Sequence, residues 1–353
     1  MERKKRILIA PLNWGLGHAT RCIPIIRLLL ESGFDPVIGS DGDALQLLQN
    51  EFEDLEFVEL PEYKIQYAEK GRYFKLKMVW DSPKIMKAIS KEHKMTKKIV
   101  EDRAIDGIIS DNRLGVYSKK VPSVFITHQL NVLTGNTTRF SSAIHQKVIS
   151  KFQECWVPDV AGEPNLSGVL GHPEKPLHNV RYIGPLSRLE KLDLPLKYEL
   201  MVLLSGPEPQ RSMLEQRLLE QVQDFKGNVL FVRGKIEPRQ SVVTKGVAKV
   251  YNFMTSEQLE VAFAKSRMIL CRSGYTTVMD LAKLDKKAFF IPTPGQYEQE
   301  YIAERLKKLQ LVPSCCQDTF SLDMLSDVEN YKGLSKINSD FDLNRLFDLF
   351  KCE

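Results

Sequence analysis

The sequence predicts an α/β protein made of two doubly wound domains, and three observations carry that expectation. "RILIA" (residues 6–10) is a near-continuous apolar run of the kind found in a strand covered on both faces, and apolar residues at helical spacing take over from Ala19 to Leu30. The joint between them carries Gly15 and Gly17, and in a parallel sheet such a βα turn lies at the carboxyl edge, where ligands bind. The alternation of strand and helix then lapses near residue 160 and restarts near residue 199, which in a chain of 353 residues with 43% hydrophobic content implies a second core.

The elements follow in order. "FDPVIGS" (34–40), "LEFVEL" (55–60), "IDGIIS" (105–110), "PSVFIT" (122–127) and "ECWVP" (154–158) read as strands, with helices over 43–50, 83–102 and 138–151. A proline- and glycine-bearing stretch from Val160 to Leu186 has no clear long element and reads as a crossing between domains. Strands then recur at "ELMVLLSG" (199–206), "NVLFVRG" (228–234), "MILCRSG" (268–274) and "KAFFIPT" (287–293), with helices over 209–222, 256–265, 276–284 and 297–309. The expected division is an N-terminal domain over 1–160, a linker over 161–197, a C-terminal domain over 198–335 and a helical tail over 336–353.

Composition excludes several classes. No apolar stretch approaches the roughly 20 residues needed to cross a bilayer, and "MERKKRILIA" runs into a core strand without a signal-peptide pattern, so a cytoplasmic protein is expected. The six cysteines, Cys22, Cys155, Cys271, Cys315, Cys316 and Cys352, have no C-x-x-C spacing and read as free thiols. A net charge of +5 is mild and gives no reason to expect a nucleic-acid partner.

The C-terminal half holds the most specific chemistry. In "CRSGYTTVMDLAKL" a strand ends at Cys271, Arg272-Ser273-Gly274 make a tight turn, and Thr276, Thr277 and Asp280 lie in the helix that follows. Backbone N–H groups at such a helix start, with hydroxyls beside them, suit a phosphate or diphosphate, although an ordinary N-cap uses the same residue types. The next turn, "FFIPTPGQYEQEYIAERL", adds a rigid loop and a polar cluster of Gln296, Glu298, Gln299 and Glu300, groups able to bind several sugar hydroxyls at once. Ser205-Gly206 closes another strand and presents backbone amides, or serves turn geometry alone. Phe253 and Met254 in "VYNFMTSEQL" are candidates to pack against a nucleobase, with a place in the core as the alternative.

"RSGYTTVMDLA" followed by "IPTPGQYEQEYIAERL" resembles the donor-sugar signature of GT-B glycosyltransferases, particularly the group that includes the bacterial N-acetylglucosaminyltransferase of lipid II synthesis. "NWGLGH" resembles its glycine-rich N-terminal loop. The resemblance implies two Rossmann-like domains facing a central cleft, with a sugar, N-acetylglucosamine in that group, moved from a UDP donor to an acceptor hydroxyl. It implies that Ser273, Gly274 and the Ser205-Gly206 loop contact the donor diphosphate, Asp280 the ribose, and Gln299 with Glu300 the transferred sugar. The UDP-sugar is a substrate, and neither cofactor nor metal is expected, because helix N-termini and side-chain donors can stabilise the leaving diphosphate. This chain departs from the group in carrying Gln299-Glu300 in place of a paired amide, and in a first loop with fewer glycines.

Inversion requires a base for the acceptor proton, and the imidazole of His18, in a strand-to-helix turn, suits that work at neutral pH. Asp111 ends a strand at the same sheet edge and is placed to orient the ring, as in the His-Asp pair of plant-type GT-B transferases; alternatively Asp111-Asn112-Arg113 is a turn cap. His128, at the end of the next strand, is the rival base or an acceptor contact. Asn13, Gly15, Gly17 and Arg113 are expected to form an acceptor or phosphate loop. Competing readings are a dinucleotide fingerprint from Gly15-x-Gly17 with Asp41, a metal-binding Asp41-Gly42-Asp43, and a UDP-sugar epimerase or non-catalytic binder on the same fold. Between Tyr63 and Lys98, Tyr67, Tyr73, Phe74, Met78 and Trp80 are interspersed with basic residues, a pattern that suits either a solvated helix with a buried stripe or peripheral contact with an anionic membrane carrying a lipid-linked or phosphorylated glycan acceptor.

Overall fold

A computed structural model describes residues 3–63, 74–175, 177–235, 237–335, 337, 341 and 345–351, and for residues 74–85 and 136 the backbone alone. The chain forms two units. One holds the described residues up to Leu186 together with the C-terminal residues 345–351; the other begins at Ser187 and runs through residue 337.

Among the described residues the first unit is a parallel seven-stranded sheet in the order β3-β2-β1-β4-β5-β6-β7. Its strands are β1 Arg6–Pro11, β2 Asp35–Ser40, β3 Glu56–Glu59, β4 Gly107–Asp111, β5 Ser123–Ile126, β6 Glu154–Val157 and β7 Val180–Tyr182. Helices α1 Gly17–Glu31, α2 Gly42–Glu51, α3 Phe74–Asp102 and α4 Thr138–Ile149 make the crossovers. Leu8, Ile9, Val37, Ile108, Ile109, Val124 and Phe125 are fully buried, as strands with helices on both faces require. The register pairs Leu8 with Val37 and with Ile108 and ends on Pro11 opposite Asp111, so Asp111 stands at the carboxyl edge beside the turn that leads into α1.

The stretch expected to cross between domains is folded into this unit. The buried Asp159 carboxylate accepts from the backbone N–H groups of Leu166 and Ser167 at 3.0 and 2.7 Å, and β7 extends the sheet beside β6. The expected helical tail is reduced, among the described residues, to α9 Asp348–Lys351. Phe347 and Phe350 are buried in the first unit, where their rings lie 6.2 and 6.4 Å from Trp156. A Cβ on Gly107 would come within 2.4 Å of the Phe350 ring, so this strand position is glycine because the C-terminal phenylalanine packs directly on its backbone.

The second unit is a six-stranded sheet in the order β10-β11-β9-β8-β12-β13 among the described residues, parallel except for the β10–β11 hairpin. Its strands are β8 Tyr198–Leu203, β9 Val229–Val232, β10 Val242–Lys245, β11 Ala248–Tyr251, β12 Ser266–Cys271 and β13 Lys287–Phe290. Helices α5 Gln210–Gln221, α6 Ser256–Ala264, α7 Tyr275–Leu284 and α8 Tyr297–Lys308 complete it. A core of Leu200, Val202, Leu214, Leu218, Phe231, Phe289 and Phe320 sits on one face. The register pairs Leu203 with Cys271 and Cys271 with Phe290, which sets three βα turns side by side at one edge.

Candidate functional site

Each sheet has a topological switch point, where the strand order reverses and the two flanking turns splay apart: between β1 and β4 in the first unit, and between β8 and β12 in the second. The residues singled out from the sequence fall largely at these two places.

In the first unit His18 lies in the opening turn of α1, with its Nδ1 2.8 Å from Oδ1 of Asp111. Asp111 is fully buried and is also clasped by Arg21, whose Nε donates to Oδ2 at 2.5 Å and whose Nη2 donates to Oδ1. Arg21 lies one turn after His18 on the same helix face, and it also reaches both imidazoles: Nη2 is 2.9 Å from Nδ1 of His18, and Nη1 is 3.1 Å from Nδ1 of His128. An arginine only donates, so Nδ1 of His128 accepts and the ring proton of that histidine sits on Nε2. Among the described residues Nε2 of His18 has no hydrogen-bond partner.

The electrostatics follow from this packing. Burial and the Arg21 charge lower the pKa of His18 against the opposing pull of Asp111, so the imidazole is neutral at physiological pH. Asp111, in spite of its burial, is held well below the usual carboxylate range by Arg21 and His18. A positive side chain so near a helix N-terminus is unfavourable by itself, and the Asp111 carboxylate offsets it.

Other first-unit residues are placed differently. Gly15 is exposed with φ of +70°, and Gly17 opens α1, so both shape the turn that presents His18. Asn13 is committed to the start of α2, where its Oδ1 accepts from Ala44 N and its Nδ2 donates to Asp41. Arg113, expected in a ligand loop, is instead fully buried: it pairs with Asp41 and with Glu92 and donates to the Pro11 carbonyl at 3.0 Å. A long cation that satisfies three elements at once becomes a core tie. The same pairing occupies Asp41, the carboxylate of the metal-binding and dinucleotide alternatives. Tyr67 and Tyr73 lie outside the described residues, as do the side chains of Phe74, Met78 and Trp80.

In the second unit the three turns are laced together. Ser273 is fully buried and its Oγ donates to the Gln299 carbonyl at 2.8 Å; Gln299 Oε1 accepts from Thr293 N at 2.8 Å, and its Nε2 donates to Gln296 at 2.6 Å. Glu300 accepts from Gly295 N at 2.8 Å. The Ser273 hydroxyl and the Gln299 amide therefore hold the loops in shape. Arg272 is likewise a core tie, since its guanidinium donates to the carbonyls of Gln210, Ile291 and Pro292 and to Gln317. Gly274 is the N-cap of α7, and Thr276 and Thr277 lie half-buried in its first turn. Asp280 accepts from Ser187 Oγ at 2.6 Å, and burial raises its pKa to about 6. Ser205 and Gly206 are exposed, and Gly206, with φ of +103°, takes a conformation that favours glycine. Phe253 and Met254 are half-buried ahead of α6, outside the core, and Glu298 is half-buried at the start of α8.

Residues 210–326 match the glycosyltransferase family 28 C-terminal domain. The chain is 24% identical over 336 residues to the UDP-N-acetylglucosamine--N-acetylmuramyl-(pentapeptide) pyrophosphoryl-undecaprenol N-acetylglucosamine transferase of Mannheimia succiniciproducens, covering 93% of this chain and 90% of that protein. The protein of the same name from Clostridium tetani is 23% identical over 296 residues, 82% of this chain and 78% of its own. Among solved structures, Acinetobacter baumannii MurG is similar with a TM-score of 0.55 at 14% identity over 99% of this chain and 92% of its own. The Streptomyces nogalater glycosyltransferase SnogD is similar with a TM-score of 0.64 at 12% identity, over 99% and 96%. The chain is a GT-B glycosyltransferase.

Of the residues that line this glycosyltransferase's two switch points, sequence reasoning missed Arg21. The signal was present, because a residue three positions after His18 on a helix shares its face, but an arginine among apolar neighbours reads as an ordinary surface cation until its carboxylate partner is known.

Proposed function

We propose that this glycosyltransferase moves N-acetylglucosamine from a UDP donor to an acceptor hydroxyl with inversion at the anomeric carbon and without a metal ion. The observation that carries the mechanism is the 2.8 Å contact between His18 Nδ1 and Asp111 at the first switch point. We assign the His18 ring proton to Nδ1, where it is donated to the ionised Asp111 while Arg21 Nη2, close to the same nitrogen, spends its own proton on that carboxylate; the lone pair of Nε2 is then left for the acceptor proton. The first switch point thus supplies the base and the second the donor cradle.

The donor class is supported by the family 28 domain and by the names of the relatives, both of which agree with the turns at Ser205-Gly206 and Ser273-Gly274. As the sugar leaves the diphosphate, negative charge grows on the phosphate oxygens, and the backbone N–H groups at the start of α7 are oriented to meet it. The Asp41 carboxylate is engaged by Arg113 and Asn13, which supports a reading in which Asp41-Gly42-Asp43 serves the fold.

Turnover of labelled UDP-N-acetylglucosamine in EDTA-treated buffer tests the reading, with the anomeric configuration of the product read by NMR. Retained configuration, or activity lost on chelation and restored by a divalent ion, would overturn it; release of an epimer with no transfer would favour the epimerase alternative. For the acceptor we propose a lipid-linked or phosphorylated glycan at an anionic membrane surface on the cytoplasmic side, which the relatives' pyrophosphoryl-undecaprenol substrate and the basic, aromatic segment before Lys98 support. Among the described residues no helix is long and apolar enough to cross a membrane. Sedimentation with anionic but not neutral vesicles, weakened by salt, is the expected result.

A further inference from the structure

Thr293 carries a hydroxyl that the folded chain does not use. The residue is 2% exposed, and its Oγ1 has no hydrogen-bond partner among the described residues. Burying a hydroxyl without a partner lowers stability, so such a group calls for an explanation. Its surroundings supply one. Thr293 is anchored through its backbone N–H to Gln299 Oε1 at 2.8 Å, and the Gln299 carbonyl is bound by Ser273, so the position of Thr293 is set by the turn after β12. On its other side stands the exposed turn after β8, where a Cβ on Gly206 would lie 3.4 Å from Thr293 Oγ1. Gly206, which carries no side chain, is thus the residue of that turn set against the buried hydroxyl.

We infer that Thr293 is a donor-binding residue whose Oγ1–H is held ready for a diphosphate oxygen at the Ser205-Gly206 turn. A turn with positive φ exposes backbone N–H groups, and a hydroxyl facing it completes a set of neutral donors of the kind that holds an anionic oxygen. This inference rests on the donor reading above and adds a residue to it. The missing partner in the free protein is then the ligand itself, and the cost to the free fold is the cost of keeping the donor in place.

Isothermal titration of wild type, Thr293→Val and Thr293→Ser with UDP and with uridine tests it, together with the melting temperature of each free protein. Valine keeps the shape and removes the hydroxyl. UDP affinity should fall about tenfold in Thr293→Val, the scale of one hydrogen bond to a charged group, and should recover in Thr293→Ser. Uridine affinity should be unchanged, and the melting temperature of free Thr293→Val should equal or exceed that of wild type. The inference is overturned if Thr293→Val binds UDP like wild type, if uridine binding falls in parallel, or if free Thr293→Val melts well below wild type, since the hydroxyl would then be serving the fold. Wild-type protein that binds neither UDP nor uridine overturns the donor reading, and the inference with it.

Discussion

At the carboxyl edge of the first sheet, Asp111 gathers Arg21 and His18, and Arg21 reaches on to His128, so four titratable side chains meet at one switch point. At the same edge of the second sheet the turns are tied by Ser273, Thr293 N, Gln296 and Gln299, joined to backbone and to each other, while Arg272 and Glu300 bond neutral backbone and amide groups there instead of each other. The two places share a topology and differ in dielectric logic. Charges packed together in a buried site shift one another's proton affinities, which is what a base requires. Neutral donors held by short loops present a fixed shape to a charged ligand without titrating, which is what a substrate cradle requires.

The largest effect that would break this contrast is on stability. Asp111→Asn removes the buried carboxylate that both Arg21 and His18 contact. Urea denaturation should show a loss of about 3–5 kcal/mol, the scale for one partner of a buried pair removed. A loss below about 1 kcal/mol would mean that the cluster is looser than its geometry indicates.

His18→Ala comes next, on rate instead of stability. kcat should fall roughly 100-fold or more while UDP affinity stays near wild type, since the donor cradle belongs to the second unit. The pH profile sharpens the assignment. With the pKa of His18 lowered by burial and Arg21, the base is already neutral at pH 6.5, so the acid limb of kcat should lie below pH 6.5 and move if Arg21 is changed. A larger kcat loss in His128→Ala than in His18→Ala would transfer the role of base.

Smaller effects belong to the second unit. Asp280→Ala should weaken UDP binding by about 1–3 kcal/mol if the carboxylate that holds Ser187 also accepts from the ribose, and unchanged affinity would confine Asp280 to a structural part. Ser273→Ala should cost about 1 kcal/mol of stability through its lost bond to the Gln299 carbonyl, measured by the denaturation midpoint.

Much of this was legible in the chain alone. Apolar runs such as "RILIA" and "MILC" identify strands because a sheet covered on both faces has no polar side, and the glycines and histidine that follow the first run mark its turn. β7, β10 and β11 were not legible: "VRY" is half-buried and "VVTK" fully exposed, so neither carries a buried strand's pattern, and their pairing depends on neighbours distant in sequence. The fold of residues 160–186 was equally hidden, because Asp159 organises it through backbone N–H groups, which leave no mark in the pattern of side chains.

The sequence by itself determined the two-unit α/β plan, the turns that bear the chemistry and the nearness of His18 to the edge of a sheet, since all of these follow from local periodicity and turn residues. Only the tertiary structure decided which polar residues face a ligand and which serve the core. Arg113 and Arg272 read like anion-binding arginines and became buried ties, Arg21 was given no role by the sequence and became the centre of the base cluster, and Thr293 kept a hydroxyl with no partner among the described residues. The physical reason is that a side chain's role depends on the partners that reach it across the fold, and a buried charge or hydroxyl is defined by those partners.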